Sequence, residues 1–328
     1  MDILERRARR EARRRAVRRR RRAVALTIAA VVVVAVAAAL ASSSGSTGRS
    51  SKPTLSASRS TDAHAASARR GGTQAPTSAN GGHASLARPA ATPVPILMYH
   101  VIAPAPAGAP FPGLYVPPSE FAAQMRALKD AGWHAVTLDQ VEAHWRRGAP
   151  LGAGKPIVVS FDNGYQSQYT QALPVLRRLG WVGDENIQLT GLPPSQGGLG
   201  EGEVRGLLAA GWELDTQGFT HADLITLDAE QLHYQVAVAR RVLQQRYEVP
   251  VNWFCYPSGH YDAAVLAAVK AAGYVGSTTV VPGWAHPNDD PYRLHRLRVL
   301  AGTTPGELLE LIAGIREDPP APPSYNGA

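Results

Sequence analysis

Four short stretches of this 328-residue chain carry proton-transferring side chains to the ends of apolar runs. "PILMYH" closes on His100, and "IVVSFDNG" closes on Asp162, Asn163 and Gly164. "WELDTQGFTH" holds Asp215 and Gln217, with His221 four residues on, and "WFCYPS" ends in Cys255, Tyr256, Pro257 and Ser258. A carboxylate takes a proton and an imidazole exchanges one near neutral pH, so such groups brought together suit general acid–base chemistry. The same residues have plainer uses. Asp-Asn-Gly is good turn chemistry. His100 suits a hydrogen-bonded core, and His221 the start of a helix. Cys255 reads as a small buried hydrophobe rather than a nucleophile. His260, His286 and His295 read as surface or structural residues.

The elements that must position these groups begin at Val94. Apolar runs ("PILMYHV", "HAVTL", "KPIVVSF", "NIQL", "WELDTQ", "NWFCYP", "VGSTTVV", "HRLRVL") alternate with amphipathic patterns such as "SEFAAQMRALKDAG", "YTQALPVLRRLG" and "AEQLHYQVAVARRVLQQRY". Several helical patterns end in Gly followed by Trp or Tyr, as in "DAGW", "RLGW", "AAGW" and "AAGY". Such a glycine suits a left-handed helix cap, and the aromatic starts the return strand. The alternation predicts an α/β fold: an irregular (β/α) barrel of about seven to eight strands. No Gly-rich dinucleotide or phosphate fingerprint follows a strand. In such a barrel the C-terminal strand ends form one mouth, which gathers His100, Asp162, Asn163, Asp215, Gln217, His221, Cys255, Tyr256 and Pro257.

The stretches resemble the motifs of the polysaccharide deacetylases, the NodB-homology carbohydrate esterases. "SFDNGYQSQYTQALPVLRRLGW" is similar to a first motif that usually reads Thr-Phe-Asp-Asp-Gly. "ELDTQGFTHADLITLD" resembles the second, Gly-Ser-His-x-x-x-His-x-x-Leu, and "FCYPSGHYD" the third. "PVPILMYHVI" resembles the start of the subgroup acting on poly-N-acetylglucosamine. The resemblance spans about residues 94–315. It implies a NodB-like barrel and a hydrolase removing acetyl groups from N-acetylated sugars of an envelope glycan. Asp162 is then the base, His100 the acid, and Asn163, Gln217 and His221 the metal positions. Ser258 holds the oxyanion beside Tyr256, and Gly164 gives the substrate room.

Two of those metal positions depart from the pattern. Asn163 stands for a carboxylate and Gln217 for an imidazole, whereas Zn-like ions prefer carboxylate, imidazole and thiolate. A divalent metal is expected to be held weakly. Asp215 shares a strand face with Gln217, from which it could reach the metal position as a compensating ligand or hydrogen-bond Gln217. The alternatives are a glycan-binding pseudoenzyme with a degenerate metal site, and a metal-independent hydrolase using Asp162 and His100.

The net charge of +8 lies at one end. Residues 1–22 hold 12 of the 34 basic residues and three of the 26 acidic ones, leaving 22 basic and 23 acidic elsewhere. The rest is near neutral, which argues against nucleic acid as a partner. Residues 23–41 are uncharged and, at ~1.5 Å per residue, long enough for a bilayer core. The expectation is a basic cytoplasmic tail (1–22), a transmembrane signal-anchor (23–41), a flexible linker (42–93), an external catalytic domain (94–318) and a short tail (319–328). Secretion after cleavage near Ala41 is the alternative. The single cysteine rules out an intrachain disulfide.

Overall fold

The computed structural model describes residues 92–190, 192, 197–315 and 319–327, all within the unit Ala79–Ala328. Its parallel strands are β1 (Val94–Tyr99), β2 (Trp133–Ala135), β3 (Lys155–Asn163), β4 (Asp184–Ile187), β5 (Glu213–Thr216), β6 (Trp253–Cys255) and β7 (Gly276–Thr278). Two short strands follow, β8 (Trp284–Ala285) and β9 (Leu297–Arg298). The helices are α1 (Pro118–Asp130), α2 (Leu138–Arg147), α3 (Leu173–Leu179), α4 (Glu201–Ala209), α5 (Ala229–His233), α6 (Ala239–Tyr247), α7 (Ala263–Ala271) and α8 (Pro305–Gly314).

The strands form one curled sheet in the order β7-β6-β5-β4-β3-β1-β8, with β2 beside β3 and β9 beside β1. β8 runs antiparallel to β1. The segment leading into β9 reaches the far edge, where Leu294 bridges in parallel to Thr278 of β7. The expected barrel is thus a curled parallel sheet of nine strands among the described residues, linked edge to edge only by this short segment.

The four Gly-aromatic steps explain how helices return to the sheet. Gly132, Gly180, Gly211 and Gly273 all have φ between 70° and 85°. The following Trp133, Trp181, Trp212 and Tyr274 are all buried. A left-handed residue ends each helix without a Cβ penalty, and the aromatic anchors the turn in the core. Strand alternation then sorts the core. Val159 and Phe161 of β3 face the helices, where Phe161 stacks on Trp212 at 5.0 Å. Val158 faces the interior with Ile96 and Trp253. Ser160 and Asp162 share the Val158 side of the strand, so polar groups lie above an apolar plug. The "HAVTL" run is strand only to Ala135. Thr137 instead caps α2 in a capping box with Gln140.

The membrane expectation is corrected. Residues 23–41 lie outside the described residues, and among the described residues no helix is long and apolar enough to cross a membrane. The transmembrane helix, signal-anchor and single-pass placement therefore have no spanning element to rest on. The basic tail (1–22) and residues 42–91 of the linker also lie outside the described residues.

Candidate active site

β1 and β3 run side by side with Tyr99 opposite Phe161, so His100 and Asp162 emerge together. His100, Asp162, Asn163, Gln217, His221, Tyr256 and Ser258 line one mouth of about 520 Å³. Pro110, Phe111 and Leu114 of the proline-rich loop after His100 also line it.

Two π-helical turns place the loops. In the turn Gln168–Ala172, the buried Gln168 amide donates to the carbonyls of His100 (2.9 Å) and Asp162 (2.8 Å), tying the two strand ends together. In Tyr234–Val238, Gln235 Oε1 accepts from the backbone N–H of Phe219 and of Thr220, both at 3.0 Å. That fixes the segment leading to His221, whose φ is 52°. The widened turn of a π-helix projects these glutamines inward, a device that recurs at functional sites.

Asp162 is buried and fully engaged. Arg296 forks onto it, Nη1 to Oδ1 at 2.7 Å and Nη2 to Oδ2 at 2.9 Å. Asn186 Nδ2 donates to Oδ1 at 3.1 Å, and the Cys255 thiol approaches Oδ2 at 3.6 Å. A carboxylate offers about four lone-pair sites, and these donors occupy them. Burial alone would favour the neutral acid, but the Arg296 charge and its hydrogen bonds outweigh that and hold Asp162 below the usual carboxylate range. Cys255, more than a small hydrophobe, also accepts from Arg296 Nη2 at 3.2 Å. Burial pushes its thiol up to about 12, which leaves it a neutral donor.

His100 Nε2 stands 3.9 Å from Asp162 Oδ2, too far for a direct hydrogen bond. A water can bridge that gap. Burial pushes the imidazole down to about 4 against the pull of Asp162, with Arg296, Arg298 and His221 lowering it further. His100 is therefore neutral at pH 7 and able to accept a proton.

The residues expected to hold a metal do not fit one. Gln217 Oε1 accepts the Asn163 backbone N–H at 2.9 Å, and Asn163 Nδ2 donates to Gln188 Oε1 at 3.0 Å. The Gln217 amide oxygen and the Asn163 amide nitrogen are thus engaged with protein, and His221 is the one imidazole of the expected set. Among the described residues no group of three His, Cys, Asp or Glu is placed to hold a metal ion. Asp215 does not compensate. It sits about 6–7 Å deeper than Gln217 along the strand direction. Its Oδ1 accepts the Trp253 N–H at 2.9 Å, and it does not line the mouth.

Gly164 differs from its expected role as well. At φ 86° it has a left-handed backbone, and an added Cβ would lie 2.7 Å from Ile187 Cγ1. Side-chain packing, rather than substrate approach, demands the glycine there. Tyr256 presents its ring to the mouth while its hydroxyl donates to the Tyr292 carbonyl at 2.9 Å. Ser258 lies at φ 56° on the rim. Arg296 was missed by motif reading. The signal was an alternating "HRLR" in a strand-like run, which demands a buried counter-ion for its inward arginine.

Residues 152–277 match the family model described as polysaccharide deacetylase. The chain is similar to the Bacillus subtilis (strain 168) protein YxkH, 28% identical over 210 residues, 64% of this chain and 72% of that one. In fold it is similar to the Streptococcus pyogenes deacetylase PplD solved in complex with acetate, with TM-score 0.62, 24% identity and coverage of 68% and 99%. It is also similar to BC0361, a polysaccharide deacetylase from Bacillus cereus, with TM-score 0.60, 25% identity and coverage of 67% and 69%.

Proposed function

We propose that this domain, whose residues 152–277 match the polysaccharide deacetylase family model, is a hydrolase that removes acetyl groups from N-acetylated amino sugars. The observation that carries the reading is the His100–Asp162–Arg296 array at the mouth, with His100 Nε2 3.9 Å from a carboxylate locked by arginine. Asp162 is poorly disposed to take a proton, because each of its lone-pair sites already faces a donor. Neutral His100 takes the proton from water attacking the acetamide carbonyl. Asp162 stabilises the imidazolium that forms, and His100 returns the proton to the leaving amine. This moves the base role that the motif resemblance implies for Asp162 onto His100, which keeps the acid role. The finer placement among poly-N-acetylglucosamine deacetylases is supported by the "PVPILMYHVI" start, which puts His100 at the end of β1.

The test is acetate release from tetra-N-acetylchitotetraose by the purified protein and its His100→Ala variant. The expected loss is about 10²–10⁴-fold, the usual contribution of a positioned acid–base group. A second reading, glycan binding without turnover, is favoured by the engaged amides of Asn163 and Gln217. Saturable binding of the tetrasaccharide with no acetate released would select it.

A further inference from the structure

The mouth contains a second arginine that neither the motifs nor the proposed proton transfer uses. Arg296 and Arg298 are two residues apart on one extended segment, so their side chains leave it on the same side. Arg296 is buried and committed to Asp162. Arg298, in β9, is exposed and lines the mouth with His100, Phe111, Tyr256 and Val280. It is close enough to His100 to lower the basicity of that imidazole. Among the described residues no carboxylate pairs with its side chain, and the only acid lining the mouth is Asp162, whose charge Arg296 already balances. With His100 neutral, the cavity presents one uncompensated positive charge beside the reacting groups. Phe111, 68% exposed on the proline-rich loop, lines the same mouth and offers a face on which a sugar ring can rest.

We propose that Arg298 forms an anion subsite, so that the preferred substrate is an acetylated sugar carrying a carboxylate close to the acetamide. The inference rests on the reading of this mouth as a glycan site. A guanidinium facing an otherwise uncharged cleft recognises carboxylates by a planar pair of hydrogen bonds and raises the local concentration of anionic ligands.

The experiment compares two disaccharides with the same linkage, di-N-acetylchitobiose and N-acetylglucosaminyl-N-acetylmuramic acid, which differ by one lactyl carboxylate. Affinities for the full chain are measured by titration calorimetry at 50 and 500 mM NaCl. The acidic sugar is expected to bind at least tenfold tighter at low salt, with the preference shrinking at high salt. Arg298→Gln should abolish the preference, Arg298→Glu should reverse it, and Arg298→Lys should keep part of it. Equal affinity for the two sugars, or a preference that survives Arg298→Gln, overturns the anion subsite and leaves the glycan reading standing. Binding of neither sugar overturns both. Because the Arg298 side chain is exposed and makes no hydrogen bond or ion pair among the described residues, the variants should unfold at the wild-type temperature.

Discussion

Asp162 and Arg296 stabilise the fold only as a pair. Both are buried, so removing one leaves a bare charge in the core. Arg296→Met should destabilise the protein by about 3–5 kcal/mol in urea unfolding, while adding Asp162→Asn should recover much of that loss. If the two substitutions simply add, the pair is not the coupled unit described here. The amides at the positions where the resemblance implies metal ligands give a second test. Asn163 already has the left-handed backbone, φ 79°, that an aspartate tolerates. Asn163→Asp with Gln217→His places two ordinary zinc ligands beside His221, and elemental analysis should find zinc occupancy rising. If zinc does not bind, the geometry around these positions has diverged along with their chemistry. At this scale the sequence was informative about strand-end residues and silent about their partners. His100, Asp162, Gln217, His221 and Ser258 do line one mouth, because each ends a strand or follows one closely. Asp215 was misread because sharing a strand face says nothing about depth. Arg296 was overlooked because its partner lies 134 residues away in sequence.

At the level of elements, capping and punctuation decide which stretches become what. Thr137→Ala removes the hydroxyl half of a capping box, leaving the backbone N–H at 137 to donate to Gln140, and should cost about 0.5–2 kcal/mol. Gln168→Leu cuts the tie between the ends of β1 and β3 and leaves two strand-end carbonyls short of a donor. It should lower kcat more than it raises KM, because the spacing of His100 and Asp162 is loosened while the mouth's lining is kept. A rise in KM alone would show that Gln168 serves the substrate rather than the catalytic pair. All eight strand runs read from the sequence contain observed strands, because β-branched residues between Gly-aromatic caps are a strong local signal. The two-residue β8 was missed, being too short for periodicity to show. The π turns were also invisible, since a five-residue widening leaves no pattern in composition.

Across the whole molecule, buried acids set the response to pH. Glu213 is pushed up to about 7 by burial and then by Asp139. Burial, followed by neighbouring acids, raises Asp184, Asp215 and Glu185 well above their usual values. In the unfolded chain such carboxyls ionise near pH 4, so between there and their folded values the native state holds more protons. Their contribution is complete at low pH and declines as pH rises, by about 1.4 kcal/mol per pH unit for each carboxyl still protonated in the fold. His100 acts in the opposite direction: its contribution is present above pH 6.5 and is lost as pH falls toward about 4. Thermal unfolding from pH 6.5 to 8 should therefore show a falling Tm, and a flat or rising profile would mean these acids are ionised in the native state. The same protonation logic underlies the account of catalysis, which asks His100 rather than a metal to activate water. The most direct measurement is acetate release from tetra-N-acetylchitotetraose by the full chain after exhaustive chelation. The account predicts that wild-type turnover persists, that zinc adds nothing, and that His100→Ala lowers it about 10²–10⁴-fold. Turnover that vanishes on chelation and returns with zinc would contradict it.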